Sequence, residues 1–312
     1  MLIDAASRRA CGVELRDAGG TRTVHARREV VLCAGAVQTP QLLMLSGVGD
    51  GAALQRLGVR CLHHNPQVGA NLQDHLDVTV LQRERGALAV GVGPRMLPRL
   101  LRESWRWRRQ GNGLLASNAA EAGGFARSDA TQPRCDLQFH FVPSLLRDHG
   151  RRLCWGYGYT LHVCQLYPYS RGRIELVDAD AATPPRIDPD YLGDARDLGV
   201  LRAGFRLARA IAGAPALRAH FAAEYDARAA AESDDEIDAF IRANAESIYH
   251  PVGSCRMGAD AQSVVDPDLR VRGVDGLRVA DASIMPTLIG GNTNAPCMVI
   301  GEMAARRMLS PR

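Results

Sequence analysis

The 312 residues suffice for two ordinary domains or one large one, and 46% hydrophobic against 23% charged residues excludes a disordered or fibrous chain. The formal net charge of +4, spread among 34 acidic residues, gives no nucleic-acid signal, and the use of arginine for all 38 basic residues is a compositional habit. Eight cysteines (Cys11, Cys33, Cys61, Cys135, Cys154, Cys164, Cys255, Cys297) show neither C-x-x-C pairing nor metal-ligand spacing, which suits reduced thiols in a cytoplasm and predicts no metal.

No apolar run approaches the roughly 18 residues of a spanning helix, and no signal-peptide pattern follows Met1. The opening residues read as a chain entered midway through a strand. A meander follows: Cys11 to Arg16, a Gly19-Gly20 turn, Thr21 to Ala26, then the continuous apolar run Val30 to Ala34, which suits a strand buried on both faces of a parallel sheet. Thr39 as cap and Pro40 in the first turn predict a helix over Gln41 to Ser46, ended by Gly47. Gly47 to Ala52 fits a relaxed dinucleotide fingerprint, but it follows a helix instead of a strand and is set aside. Leu45-Ser46-Gly47 likewise lacks the preceding glycine and strand of a hydrolase elbow.

Val68 to His75 reads as a loop crossing between two domains. Beyond it, strands over Asp136 to Val142, Tyr159 to Gln165 and Arg173 to Val177 alternate with alanine- and arginine-rich helices, predicting an antiparallel sheet with helices on one side. The basic run Arg102 to Arg109, with two tryptophans, reads as the solvated face of an amphipathic helix, with contact to a membrane surface as the lesser reading. Pro184 to Pro189 reads as rigid extended connection. Helices are predicted over Asp194 to Ile211 and Ser233 to Asn244, the second with Ser233 and Glu236 at capping-box spacing. A short strand over Leu277 to Ala280 ends in Asp281, and a last helix can begin at Pro296 with Thr293 or Asn294 near its cap.

Two stretches are candidates for chemistry: Tyr249-His250-Pro251-Val252-Gly253-Ser254-Cys255-Arg256-Met257-Gly258 and Gly290-Gly291-Asn292-Thr293-Asn294-Ala295-Pro296. Pro251 holds His250 extended, and the small residues after it leave the imidazole open as a base. An ordinary loop histidine is the competing reading.

The chain resembles the C-terminal part of the glucose–methanol–choline oxidoreductases, flavoenzymes that oxidise alcohols, and most of all their choline and aliphatic-alcohol branch. Four stretches carry the likeness: Gly35 to Gly49, Val68 to His75, Tyr249 to Gly258, and Leu277 to Pro296. Weaker echoes at Pro168 to Gly172 and Ile187 to Pro189 fall between them in the family's order. The resemblance implies an α/β plus α+β fold: a partial Rossmann-like FAD-binding domain over residues 1–75 and 245–312, its N-terminal part missing, and an antiparallel-sheet substrate domain over 76–244.

It further implies FAD as cofactor, His250 as catalytic base and Asn292 as its partner. Asp281, Ala282, Asn292 and Thr293 are implied flavin contacts, with Tyr249 beside the ring and Ala34 and Gly35 flanking the adenosine end. The implied reaction oxidises an alcohol to an aldehyde with hydride transfer to flavin N5. Implied partners are a small-molecule alcohol, a quinone or oxygen as electron acceptor, and a separate N-terminal FAD-binding half, in a cytoplasmic or membrane-associated protein. Ser254 stands where relatives usually carry threonine. The glycine-rich fingerprint is absent from these residues, so the expected activity of this chain alone is low. A non-catalytic remnant or substrate-binding module, and a flavin-dependent lyase, are the alternative readings.

Overall fold

A computed structural model describes residues 1–86 and 89–309, and within them the chain divides into two compact units. The first comprises Met1–Asp74, Pro168–Gly193 and Tyr249–Arg312; the second, His75–Tyr167 and Asp194–Ile248. Residues 310–312 of the C-terminal span lie outside the described residues.

The first unit opens with β1 (Leu2–Asp4), β2 (Arg9–Asp17), β3 (Gly20–His25) and β4 (Val30–Leu32), then α1 (Gly35–Leu45), β5 (Val48–Gly49), α2 (Gly51–Arg56) and β6 (His63–His64). The second contributes β7 (Leu76–Glu84), β8 (Gly91–Val92), α3 (Met96–Gln110), β9 (Ala122–Ala126), β10 (Leu137–Val142) and β11 (Gly156–Gln165). The chain returns to the first unit for β12 (Arg173–Glu175) and β13 (Arg186–Asp188). It resumes the second with α4 (Ala195–Ala212), α5 (Pro215–Arg218), β14 (Phe221–Glu224), α6 (Asp234–Asn244) and β15 (Glu246–Ser247), and ends in the first with β16 (Leu277–Val279) and α7 (Asn294–Leu309).

In the second unit an antiparallel sheet runs in the order β14-β7-β11-β10-β9, with β15 also on β7 and β8 also on β11. Its central strand β11, Gly-Tyr-Gly-Tyr-Thr-Leu-His-Val-Cys-Gln, is rich in the aromatic and β-branched residues that pack on a pleated surface. Helix α4 packs over this sheet. Asp194 caps α4 by accepting the N–H of Arg196, and a full capping box between Ser233 and Glu236 starts α6, as its sequence predicts. Phe205 of α4 is fully buried, its ring centroid 5.2 Å from that of Phe240 on α6.

In the first unit β4 pairs with β16 in parallel, Val30 opposite Leu277 and Leu32 opposite Val279. Val30, Leu32, Leu277 and Val279 are all buried, as expected of parallel strands covered on both faces. Within the pair Arg278 is 4% exposed, and Glu29 accepts from its Nε at 2.8 Å while the Asp268 carbonyl accepts from Nη1 at 2.6 Å. Such a buried guanidinium is tolerated because it is both paired and hydrogen-bonded.

Four sequence expectations change. The helix predicted over Gln41 to Ser46 is longer, Gly35–Leu45, and Pro40 lies inside it instead of in its first turn. A proline there cannot donate to the carbonyl four residues earlier; here the Ser254 hydroxyl donates to that carbonyl of Ala36 at 2.5 Å and satisfies it. The strand expected over Arg173 to Val177 is β12, which forms a hairpin with β13 and not a strand of the large sheet. That hairpin belongs to the first unit, where Ile174 N–H donates to Gly69 O at 2.7 Å and Leu72 and Gly172 exchange backbone bonds. Pro184 to Pro189, expected as rigid extended connection, contains β13 and is paired to β12. The last helix begins at Asn294, so that Pro296 falls in its first turn, where a missing N–H is tolerated.

Candidate active site

The first unit builds a site where its parallel strands end. Beyond β4 come Cys33, Ala34 and Gly35; beyond β16 come Ala280, Asp281 and Ala282, the carboxyl-end location where open α/β sheets take ligands. The Asp281 carboxylate ties the two ends together. It accepts from Gly35 N–H at 3.0 Å, from the Thr39 hydroxyl at 2.6 Å and from Ser283 N–H at 2.8 Å. The Thr39 hydroxyl in turn accepts from Ala34 N–H at 3.1 Å. Asp281 is therefore engaged by its side chain in holding Ala34 and Gly35, and Thr39, expected as a cap, acts through it.

The segment carrying His250 lies across these strand ends. Gly253 N–H donates to Ala282 O at 3.3 Å and Cys255 N–H to Ser283 O at 2.8 Å. On its other side, Gln73 and Val252 exchange backbone bonds at 3.0 and 2.8 Å, and the Asn71 side chain donates to Gly253 O at 3.1 Å. Gly253 has φ +90°, and a Cβ there would stand 2.6 Å from Asn71 O, so only glycine fits the crossing.

Asp74 fixes the residue of most interest. Its Oδ1 accepts the His250 backbone N–H at 2.9 Å, and its Oδ2 accepts the Tyr191 hydroxyl. His250 is half-buried; burial holds its imidazole below the ordinary histidine pKa, and the Asp74 carboxylate offsets part of that effect. Tyr249, 54% exposed, takes a left-handed φ of +62°, an uncommon conformation for an aromatic residue that functional sites often retain.

Asn292 and Thr293 lead into α7. Asn292 is exposed and Thr293 is 9% exposed. The flanking residues Ile289 and Cys297 pack on a small cluster of Val252, Met285 and Leu288, which brings the loop bearing Asn292 against the segment bearing His250. Gln73 secures the same loop, donating to Pro286 O at 3.2 Å and accepting from Leu288 N–H at 3.1 Å. All eight predicted residues thus belong to connected segments of one unit.

Residues 1–77 and residues 168–301 match the N-terminal and C-terminal family domains described as GMC oxidoreductase. The chain belongs to the GMC oxidoreductase family. It is 52% identical over 277 residues to the alcohol dehydrogenase [acceptor] of Pseudomonas putida, covering 89% of this chain and 50% of that protein. It is 41% identical over 300 residues to the mitochondrial choline dehydrogenase of Homo sapiens, covering 95% of this chain and 50% of that protein. Among solved structures it matches a formate oxidase of Aspergillus oryzae RIB40, from a study of FAD modification, with TM-score 0.89 and 26% identity over 98% of this chain and 58% of that one. The chain spans about half the length of the curated relatives it matches.

Asp74, Gln73 and Asn71 position the segments of this site, and none of the three is marked as doing so by the sequence. Val68 to His75 carried the family likeness, but nothing local marks its polar side chains as partners of a loop 176 residues away. The remaining signal was the density of amide and carboxylate groups in Asn71-Leu72-Gln73-Asp74, more than a plain crossing loop requires. Cys255, inside the same motif, is fully buried, and burial together with the Asp281 charge raises its thiol pKa, so it is held as an unreactive thiol.

Proposed function

We propose that this chain carries the proton-abstracting part of an FAD-dependent oxidation of an alcohol to an aldehyde, with His250 as base and Asn292 as the residue that holds the substrate oxygen. The observation that carries the reading is the state of His250. Burial favours the neutral imidazole, which is the form that accepts a proton, and Asp74 fixes its backbone. The likeness to alcohol and choline dehydrogenases supplies the substrate class and favours a dehydrogenase over an oxidase.

The residues present fit a large anionic cofactor. Gly35 has φ +79° and open space where a Cβ would stand, and Gly291 also has open space beside it. Helix α7 starts just after Thr293, and its first N–H groups, unsatisfied within the helix, favour negative charge. Ala34, Gly35, Asp281, Ala282, Asn292 and Thr293 are the residues proposed to hold FAD, with Tyr249 flanking it. The proposal assigns the first unit to the flavin-binding domain and the second to the substrate domain.

When bound, FAD supplies the acceptor for the hydride that leaves the alcohol carbon. The alcohol releases that hydride readily only as its hydroxyl proton departs, so the neutral imidazole of His250 takes that proton. The Asn292 amide donates to the oxygen as negative charge builds on it. The cluster of Val252, Met285 and Leu288 behind both loops holds the two groups in register and keeps water from their backbone.

The experiment is a panel of alcohols assayed with the FAD-loaded protein, using a quinone-like dye and oxygen as alternative acceptors. Dye reduction with an alcohol, lost in His250→Ala, supports the proposal. Oxidation unaffected by that substitution, or no reaction with any alcohol once FAD is bound, overturns it.

A further inference from the structure

Helix α3 in the second unit is turned the wrong way for an ordinary surface helix. Its buried residues are Met96 and Glu103; Glu103 is 5% exposed, and its carboxylate accepts from Leu114 N–H at 3.1 Å and from Arg102. Leu97, Leu101 and Trp105 recur every fourth residue and so share one side of the helix. They are 64%, 67% and 57% exposed. A helix that met only water would bury such a stripe and expose its carboxylate.

A second apolar tip stands beside it. Trp155, 64% exposed, is bridged to Val92 just ahead of α3, and Leu153, also 64% exposed, precedes it after Arg151 and Arg152. The chain's three tryptophans, Trp105, Trp107 and Trp155, all lie in this region and are all exposed.

The charge around the stripe has one sign. Within α3 stand Arg99, Arg102, Arg106, Arg108 and Arg109 against the single, buried Glu103. The Arg109 guanidinium lies 4.5 Å from the centre of the Trp105 ring. Long arginine side chains can lie along an apolar surface while their charged ends reach phosphate oxygens. Exposed leucines and tryptophans flanked by arginines have the chemistry of an interfacial helix, and tryptophan favours the headgroup level of a bilayer.

We propose that α3, with the Leu153–Trp155 tip, is a docking surface for an anionic lipid bilayer. The contact is peripheral: no helix among the described residues is long and apolar enough to cross a membrane. A second copy of the chain is the poorer occupant, because it would set two arginine-rich faces against each other. An alcohol with an apolar tail partitions into lipid, so a bilayer-docked enzyme would meet such a substrate at the surface where it concentrates. That consequence depends on the proposed function; the docking surface does not.

The test is co-sedimentation of the full chain with vesicles of phosphatidylcholine alone or mixed with phosphatidylglycerol, together with tryptophan fluorescence. The expected result is binding to the mixed vesicles with a blue shift in emission. Raising ionic strength from about 0.1 to about 1 M shortens the Debye length from about 10 to about 3 Å and should weaken binding several-fold. Leu101→Glu with Trp105→Glu should lower the bound fraction at least tenfold, and Arg102→Gln with Arg106→Gln should do so without touching an apolar group. Both pairs are at exposed positions, and an unchanged circular dichroism spectrum shows that each variant is folded. No binding to the mixed vesicles overturns the proposal, as does binding that survives both double substitutions or equal binding to phosphatidylcholine alone. Concentration-dependent self-association that buries the tryptophans without lipid assigns the surface to a second copy and also overturns it.

Discussion

The second unit holds itself together by regular structure, and the first unit holds its site together by side chains. In the second, strands β9, β10, β11 and β7 form an unbroken antiparallel ladder, and α4 and α6 meet through buried rings. In the first, the site backbone is irregular, and Asn71, Gln73, Asp74, Asp281 and Ser254 each satisfy main-chain groups that no helix or strand satisfies. The two units are therefore vulnerable in different ways. One loses stability when apolar volume is removed, the other when one polar atom is removed and a buried backbone group is left alone.

Truncation in the packed unit should have the largest effect. Phe205→Ala removes a fully buried ring packed at a tilt against Phe240 and should cost about 3–5 kcal/mol in denaturant unfolding. A cost below about 1 kcal/mol would show that α4 and α6 are not held by that packing.

In the first unit, Ser254→Ala leaves the Ala36 carbonyl, already without its helical donor, unpaired. The expected cost is about 1–3 kcal/mol, although only one oxygen is removed. Ser254→Thr keeps the hydroxyl and should stay close to the parent. If Ala and Thr behave alike, the hydroxyl does not hold the helix. A smaller loss is expected at the helix start of the second unit, where Ser233→Ala removes half of a capping box at about 1 kcal/mol.

The smallest stability effect, but a sharp functional one, concerns pH. The folded-state pKa of His250 lies below its unfolded value of about 6.5, so its contribution to stability is present above that pH and is lost as pH falls through the folded value. The same depression keeps the proposed base neutral, so kcat/KM should decline only on the acid side of about 6.5. Asp74→Asn removes the charge that raises the His250 pKa and should move the limb to still lower pH. Movement to higher pH would mean that Asp74 does not act on the imidazole in this way.

The same contrast explains what the amino-acid sequence discloses. Ser233 and Glu236 stand three residues apart, and their capping box is legible because both partners are local. Of the strands of the large sheet, β10 and β11 are legible from aromatic and β-branched runs. The true start of α1 is not, because the group that makes Pro40 acceptable inside it comes from Ser254, 218 positions along the chain from the carbonyl it serves. Asp74 is hidden for the same reason, and so is the place of the β12–β13 hairpin, which depends on Gly69 and Leu72. His250 and Asn292 are legible only through the family motifs around them. Helix α3 is legible as amphipathic, but which of its faces meets water is decided by Glu103 turning inward.

Whether His250 acts as the base is decided by turnover of the FAD-loaded protein. With alcohol and dye at saturation, His250→Ala should lower kcat by about 10²–10⁴-fold, with FAD binding and unfolding midpoint close to the parent. Turnover within a few-fold of the parent would rule out His250 as the base.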